Sequence, residues 1–152
     1  MITQKMRYAL KALIVLADER AGEGRALRIE EIAVRAEVPK RFLEHILLDV
    51  KRAGVIGSKR GRAGGYLLIK EPRTVPIAEL LRLIDGPIAP LPCLSRKAYQ
   101  RCEDCADEAT CRLRRVFADL FASYLLLLES LTLADLVGRP RILDEAPEAA
   151  AG

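Results

Sequence analysis

The sequence predicts a mainly α-helical fold with one small β-hairpin, and three patterns lead to this prediction. Two short amphipathic segments lie on either side of the tripeptide 37–39, which interrupts helix formation. Two short apolar segments, 55–58 and 66–69, flank a basic, glycine-rich stretch, as the strands of a hairpin do. Farther along, apolar residues recur at helical spacing over 113–131, which predicts one long helix. Helix, turn, helix and hairpin in this order are typical of a winged helix-turn-helix.

The first helix of the pair carries its apolar residues on one face. They recur at three- and four-residue spacing and comprise Ile29, Ile32, Ala33 and Ala36. This helix ends before Pro39, because the residue preceding a proline is pushed out of the helical region, and proline itself suits the first turn of the next helix. The second helix has a predicted core set of Phe42, Leu43, Ile46, Leu47 and Val50, and it ends at Gly54.

The opposite face of the second helix is polar and carries Lys40, Arg41, Glu44, His45 and Lys51. Two helices joined by so short a turn cross steeply, which leaves the second free to enter a DNA major groove. There Glu44 is expected to accept from a cytosine amino group, and Lys40 or Arg41 to contact guanine or phosphate. The alternative is an ordinary helical hairpin with a solvated charged face.

The stretch between the two predicted strands favours DNA binding. It supplies three cations, Lys59, Arg60 and Arg62, for a phosphate backbone, and its glycines allow a tight tip that approaches a surface closely. A plain basic turn is the alternative. A nucleotide phosphate loop is disfavoured, because the spacing of glycine, lysine and hydroxyl that such a loop requires is absent.

Charge is distributed unevenly along this chain of 152 residues. Residues 1–75 contain 16 Lys and Arg against 9 Asp and Glu, whereas residues 76–152 contain 9 against 12. The basic half holds the predicted helix-turn-helix, as expected for a nucleic-acid surface. Neither a secretion signal nor a membrane-spanning run is recognisable, so we expect a cytoplasmic protein.

Further helices are predicted on both sides of this region. An amphipathic helix runs from about Thr3 to Asp18, with Arg7 on its polar side as a candidate for phosphate contact or for simple solvent exposure. A short helix over 77–84 follows the hairpin. The long helix is more apolar than a monomer of this size readily covers, which predicts packing against the same helix of a second subunit. A core helix within one chain is the alternative.

Four cysteines, Cys93, Cys102, Cys105 and Cys111, lie in one stretch, with eight, two and five residues between them. Where thiols stay reduced, such clustering indicates metal or redox chemistry rather than structural disulfides. An iron–sulfur cluster is favoured, because soft thiolates on an irregular loop suit it. Zinc is an alternative, although only Cys102 and Cys105 form the close pair typical of zinc sites. Metal-free thiols that signal by disulfide formation are the third interpretation.

Five sequence phrases carry a family resemblance. They are RYAL at 7–10, FLEHIL at 42–47, AGVIGSKRG at 53–61, GGYLL at 64–68 and IDGP at 84–87. Together they resemble the Rrf2 family of bacterial winged-helix transcription regulators, over nearly the whole chain. The resemblance implies a homodimer that binds a double-stranded DNA operator, and in cluster-binding members an iron–sulfur cluster held by the cysteine loop.

The resemblance also implies a set of cluster ligands. Three cysteines of the family loop correspond to Cys93, Cys105 and Cys111, so Cys102 is additional. In the family's iron–sulfur assembly regulator the fourth ligand is a histidine at the position of Arg114. In its nitric-oxide sensor the fourth ligand is an acid at the position of Tyr8. Both ligands are missing here, and the simplest solution is that Cys102 completes an all-cysteine set.

These expectations divide the chain into a DNA-binding domain (1–87), a cysteine-bearing sensory loop (88–112), a dimerisation helix (113–137) and a disordered tail (138–152). The predicted function is a sequence-specific transcription regulator whose DNA affinity depends on an iron–sulfur cluster or on the redox state of the four cysteines. The alternative is a family member that senses through metal-free thiols, zinc or a protein partner. An enzyme is not expected, because the single histidine, His45, lies in the predicted DNA-reading helix.

Overall fold

The chain folds as the winged helix-turn-helix that the sequence predicts, followed by a loop and a long helix. The computed structural model describes residues 2–138, so nearly all of the predicted tail lies outside the described residues. The helices and strands are α1 (Gln4–Ala21), α2 (Ile29–Ala36), α3 (Lys40–Arg52), β1 (Ile56–Lys59), β2 (Gly65–Leu68), α4 (Ile77–Ile84), α5 (Arg112–Ser130) and α6 (Leu133–Leu136). Short 3₁₀ turns lie at Pro72–Thr74 and Pro92–Leu94. None of the helices in residues 2–138 combines the length and apolar character needed to cross a membrane.

Helix α1 lies at the centre of the fold and packs against α2, α3, α4 and β2. The Thr3 hydroxyl caps it by accepting a hydrogen bond from the Met6 amide at 3.1 Å, as the sequence predicts. The helix continues past the predicted end at Asp18, and the Gly22 amide then donates to the carbonyls of Asp18 and Glu19. Its apolar face is buried in the core, which gives the reading helix a rigid support.

Helices α2 and α3 form the helix-turn-helix. Between them Glu37 adopts the left-handed conformation with φ 53°, and the buried Val38 anchors the turn in the core. Four of the predicted core residues of α3 are buried, namely Leu43, Ile46, Leu47 and Val50. Phe42 is the exception, since its side chain is 40% exposed. The prediction that Phe42 belongs to the core is therefore wrong, because its ring packs beside Tyr8 of α1 at the edge of the buried face.

Strands β1 and β2 form the wing and pair antiparallel, with Ile56 opposite Leu68. Their bounds lie one residue later for β1 and one residue earlier for β2 than predicted. A third segment, which the sequence did not reveal, joins them: Leu27 exchanges two backbone hydrogen bonds with Tyr66, at 2.7 and 2.8 Å. A Cβ atom on Gly65 would lie 2.3 Å from the Leu27 carbonyl oxygen, so this close approach requires glycine.

The chain turns back onto the winged helix after α5. The Leu131 carbonyl accepts a hydrogen bond from the Ile77 amide, and the Leu133 amide donates to the Val75 carbonyl, both at 2.8 Å. Leu133 is fully buried in the main core. The segment 113–137 is thus two helices rather than the single one predicted, because these backbone contacts and the burial of Leu133 hold α6 against the winged helix.

Candidate nucleic-acid interface and cysteine segment

The predicted DNA-reading residues of α3 lie on its exposed face. The side chains of Lys40, Arg41, Glu44, His45 and Lys51 are all exposed, whereas the buried residues of α3 face the core. A recognition helix presents its first turns to the major groove in this way. The fold therefore leaves the predicted reading surface free for DNA.

Two lysines of this face are held by neighbouring elements. The Lys40 ammonium lies 2.6 Å from the Glu30 carboxylate of α2, and this hydrogen bond raises the pKa of Lys40 and lowers the pKa of Glu30. The Lys51 ammonium donates to the Ser58 hydroxyl of β1 at 2.6 Å. The two contacts connect the reading helix to α2 on one side and to the wing on the other.

The wing tip exposes three predicted cations, Lys59, Arg60 and Arg62. Within the described residues their side chains make no hydrogen bond or ion pair, so they are available for phosphate. The Arg28 guanidinium donates to the Arg62 carbonyl at 2.8 Å and ties the tip to the start of α2. Sequence reasoning missed Arg28, because an arginine just before a helix gives no local signal of a contact 34 residues away.

Helix α1 contributes Arg7 and Tyr8 beside the start of α3. Arg7 is exposed, and its guanidinium forms no ion pair within residues 2–138. The ring centroids of Tyr8 and Phe42 lie 5.5 Å apart, and the Arg41 guanidinium carbon lies 4.9 Å from the Phe42 centroid. The three residues form one stack, which we call the Tyr8–Phe42–Arg41 stack. Sequence reasoning missed it, because Phe42 fits the helical periodicity of a core residue.

The four cysteines lie between α4 and α5. Cys93 is buried in a 3₁₀ turn, whereas Cys102, Cys105 and Cys111 are half-buried. Burial raises the pKa of the Cys102 thiol, and its hydrogen bond with the Cys93 thiol raises it further. Burial likewise raises the pKa of the Cys105 thiol. The neighbouring Cys111 thiol and then the Cys102 thiol raise this pKa further. The four thiols therefore neighbour one another in chain order.

The thiols do not converge on one point. Among residues 2–138, no three side chains of His, Cys, Asp or Glu stand close enough to hold a metal ion as they are. The donor set still suits an iron–sulfur cluster or zinc, because four soft thiols adjoin one another on a single loop. The raised pKa values keep Cys102 and Cys105 protonated at neutral pH. The thiolate is both the reactive nucleophile and the metal ligand, so metal binding at these cysteines would release protons.

Hydrogen bonds join the cysteine segment to α5. Cys111 is the N-cap of α5, and its sulfur accepts a hydrogen bond from the Arg114 amide at 3.4 Å. Farther back, the Arg101 guanidinium donates to the carbonyls of Cys105 and Ala106, at 3.0 and 2.9 Å. A change at the Cys111 sulfur therefore acts directly on the first turn of α5.

The two positions of the family's known fourth ligands have other contacts here. The Arg114 Nε atom lies 3.7 Å from the Glu108 carboxylate, which also accepts a hydrogen bond from the Tyr99 hydroxyl at 2.6 Å. A guanidinium stays protonated and has no lone pair to offer a metal. Tyr8 packs on Phe42 of α3. Neither position therefore offers a cluster ligand in this structure, and the additional cysteine of the segment, Cys102, lies beside Cys93.

Helix α5 exposes a continuous apolar stripe beside its buried face. The members of this α5 stripe recur at three- and four-residue spacing and are Leu113, Val116, Phe117, Leu120, Tyr124 and Leu127. Their exposed fractions run from 39% to 66%. The neighbouring face, with Phe121, Leu125 and Leu128, is buried in the same chain. One side of α5 is thus packed, and the adjacent side is uncovered.

Comparisons with known proteins agree with this architecture. The model of the Rrf2 family, described as iron-dependent transcriptional regulators, matches residues 2–139. A helix-turn-helix, rrf2-like transcriptional regulator of Rhodobacter capsulatus is 67% identical over 138 residues, which span 90% of this chain and 92% of that protein.

Solved structures show the same winged-helix fold. CymR, the global cysteine regulator of B. subtilis, aligns with a TM-score of 0.71 at 30% identity, covering 90% of this chain and 95% of CymR. IscR of T. potens aligns with a TM-score of 0.67 at 26% identity, covering 100% and 92%. The resemblance seen in the sequence is thereby confirmed, and the chain belongs to the Rrf2 family of transcriptional regulators.

Proposed function

We propose that the chain acts in the cytoplasm as a homodimer that binds a double-stranded DNA operator, and that an iron–sulfur cluster on the cysteine segment sets its DNA affinity. The observation that carries the proposal is the set of four free cysteines on one loop, the last of which caps α5. The description of the family as iron-dependent supports it.

The cluster ligands in this proposal are Cys93, Cys102, Cys105 and Cys111. Cys102 takes the fourth position, because it adjoins the Cys93 thiol and the two positions used by known relatives hold Arg114 and Tyr8. When bound, a cluster supplies a centre that oxidation, nitrosylation or loss can alter. The loop must close for the four sulfurs to converge, and the deprotonation of the thiols makes binding dependent on pH.

The second copy in this proposal covers the α5 stripe. A two-fold axis brings the same surface of two chains together, so one apolar stripe is its own complement. Two antiparallel or parallel α5 helices then bury apolar side chains as a coiled-coil seam does. Such a dimer carries two reading helices, whose separation fixes the spacing of the two operator half-sites.

The proposed DNA contacts are those on the exposed surface of the winged helix. They are Arg7, Lys40, Arg41, Glu44, His45 and Lys51 on the helices and Lys59, Arg60 and Arg62 on the wing. The cations chiefly position the protein on phosphates, and the first turns of α3 read bases. Replacement of both Arg60 and Arg62 by Ala tests the wing. It should weaken binding to all sequences, whereas unchanged affinity would remove the wing from the interface.

A route from the cysteines to the reading helix follows from contacts already described. Cys111 caps α5, and Glu129 of α5 pairs with Arg82 of α4 at 2.8 Å. At the end of α4, Asp85 accepts hydrogen bonds from the amide and hydroxyl of Thr3, the N-cap of α1. α1 in turn supports α3 through Tyr8. Altered ligation at Cys111 would therefore shift α5 and, through α4 and α1, the relative position of the two reading helices.

The decisive experiment is anaerobic purification followed by an ultraviolet–visible spectrum and assays of iron, sulfide and zinc. We expect broad visible absorption with matching iron and sulfide in the wild type, and loss of both in Cys102→Ala. Thr110→Ala is the matched control, since it alters a side chain of the same segment that offers no thiol. A colourless protein that cannot be reconstituted would overturn the cluster. Bound zinc, or no metal at all, would then identify one of the alternative sensors.

Coupling to DNA needs its own measurement. Mobility-shift titrations should compare protein with and without cluster on one operator at one salt concentration, because affinity for DNA depends steeply on salt. We expect different dissociation constants for the two forms. Equal constants would leave a DNA-binding regulator whose cysteine segment has another task.

A further inference from the structure

An exposed aromatic ring stands among the charged side chains at the start of α3. Phe42 is 40% exposed although it occupies the third position of the helix, between Arg41 and the buried Leu43. Burial of a phenyl ring is among the larger favourable terms in folding, so a ring left half in water is a loss that the winged helix does not recover internally. The first turns of a recognition helix are also where side chains meet base edges.

The ring is fixed in place before any DNA arrives. Tyr8 packs on it with an interplanar angle of 50°, and the Tyr8 hydroxyl accepts a hydrogen bond from the Gln4 side-chain amide at 3.0 Å. The Arg41 guanidinium lies over the Phe42 ring at 4.9 Å, within the range of a cation–π contact. A side chain held in this way loses little conformational freedom on binding.

The neighbours of the ring identify the kind of partner. The Arg41 guanidinium is stacked on Phe42, so the exposed ring is next to a cation that suits phosphate. The phosphates of a DNA duplex border a groove in which the base edges are exposed. In the major groove the one apolar group is the C5 methyl of thymine, which cytosine, adenine and guanine lack.

We propose that Phe42 is a base-reading residue that contacts the C5 methyl group of a thymine in the major groove, with Arg41 held over the same ring to bind the adjoining base or phosphate. This inference rests on the proposed binding of operator DNA and adds a specificity determinant to it. Phe42 supplies an apolar surface, and Tyr8 is a positioning residue that keeps the ring at the start of α3.

The test removes single methyl groups from the DNA. An operator is first selected in vitro with the purified wild-type protein from a random duplex pool. Each thymine in one half-site is then replaced by deoxyuridine, which keeps every hydrogen-bonding group and lacks only the methyl. Dissociation constants are measured by fluorescence anisotropy for the wild type, for Phe42→Ala and for Leu48→Ala. Leu48 is the matched control, since it is an apolar residue of α3 that is 43% exposed.

We expect one thymine at which deoxyuridine weakens wild-type binding about fourfold, the effect of losing one buried methyl-sized group. The same replacement should change the affinity of Phe42→Ala by less than about 1.5-fold, while Leu48→Ala keeps the wild-type penalty. Thermal unfolding followed by circular dichroism verifies that each variant is folded.

Three results would overturn the proposal. The first is that loss of the methyl group from any thymine in the half-site leaves wild-type affinity unchanged. This result needs only the wild-type protein, so it can be obtained even if Phe42→Ala fails to fold. The second is an equal penalty in the wild type and Phe42→Ala. The third is a penalty that disappears in Leu48→Ala instead. Failure to select any operator would count against the proposed function itself and is thus distinguishable from failure of this assignment.

Discussion

The two halves of the molecule differ in how completely one chain covers its own apolar surface. In the winged helix, the apolar faces of α1 to α4 and of α6 meet in one core, which Leu128 of α5 also joins. In residues 85–130, by contrast, the buried apolar side chains are Cys93, Phe121, Leu125 and Leu128 alone, while the α5 stripe is exposed. Four thiols in the same half adjoin one another without forming a closed site.

This difference indicates that the two halves are completed by different means. The winged helix finds its packing partners within the chain, so its stability should be a property of the monomer. In the proposed function a second copy covers the α5 stripe and a cluster occupies the cysteine segment, and an exposed apolar surface of this kind marks an interaction site. Changes in the first half should therefore alter unfolding, and changes in the second should alter assembly and DNA affinity.

The largest expected effect comes from a charge on the α5 stripe. Leu120→Glu places a carboxylate in the proposed dimer seam, where Leu120 is 61% exposed in the single chain. We expect a monomer, and a loss of operator affinity of about 100-fold or more, because two linked reading helices bind far more tightly than one. Sedimentation velocity and anisotropy titrations measure the two effects.

Leu126→Glu is the control for this variant. Leu126 is 70% exposed but lies about 120° around α5 from the centre of the stripe. The Leu126→Glu variant should remain dimeric and should bind the operator with near wild-type affinity. If both variants dimerise alike, the α5 stripe is not the dimer seam.

The next effect tests whether α6 belongs to the winged helix. Leu133 is fully buried, and its amide donates to the Val75 carbonyl, so Leu133→Ala should lower the free energy of unfolding by about 3 kcal/mol. Leu136→Ala, at a position 38% exposed, should cost less than about 1 kcal/mol. Urea denaturation compares the two. Similar small losses would place α6 outside the stable core.

The sequence predicted best those features that a few neighbouring residues determine. The helix-turn-helix, the wing and α4 were predicted within about one residue at most ends, because caps, turn residues and periodicity are local signals. The Thr3 cap and the turn before Pro39 are examples, and each is readable from a few neighbouring residues. The family motifs of the wing led to the same fold.

Features that depend on contacts between distant residues were missed. Phe42 has the spacing of a core residue, and only the position of Tyr8 on α1 shows that its ring stays half exposed. The dimerisation helix was predicted to extend to residue 137, and only the contacts of Leu131 with Ile77 and of Leu133 with Val75 show that α6 is separate from α5. The cysteines were found by their clustering alone, whereas the order in which the thiols adjoin one another needed the structure.

A moderate effect is expected inside the complete half. Glu19 is 9% exposed at its side chain and accepts from the Arg35 guanidinium of α2 at 2.7 Å, with Arg25 at 3.5 Å. Arg35→Met leaves a nearly buried carboxylate with one weaker partner and should lower the free energy of unfolding by about 2 kcal/mol. This is below the usual range for a buried pair, because Arg35 is 39% exposed.

Arg73→Met is the control for the loss of an arginine. Arg73 is exposed and its side chain makes no contact of this kind in the described residues, so the variant should unfold within about 0.5 kcal/mol of the wild type. Urea denaturation again measures both variants. A loss at Arg73 as large as that at Arg35 would mean that net charge, and not the α1–α2 ion pair, stabilises the helix-turn-helix.

The smallest effect lies where the complete half meets DNA. The Glu30 carboxylate holds Lys40 of the reading helix at 2.6 Å, and this bond competes with a phosphate for the same ammonium. Glu30→Gln should therefore strengthen operator binding about twofold at low salt, with a gain that shrinks as salt rises. Asp119→Asn makes the same change in net charge on exposed α5 and should have no such effect.

The pH dependence of this gain follows from the shifted pKa of Glu30. Its hydrogen bond with Lys40 lowers the pKa of Glu30, so the pair is intact at neutral pH and is lost only as the pH falls through a value below the ordinary one of about 4.3. Lys40, whose pKa is raised by the same bond, stays charged throughout. The ratio of variant to wild-type affinity should thus be constant from about pH 6 to pH 8. A ratio that changes across this range would show that another group, and not the release of Lys40, causes the gain.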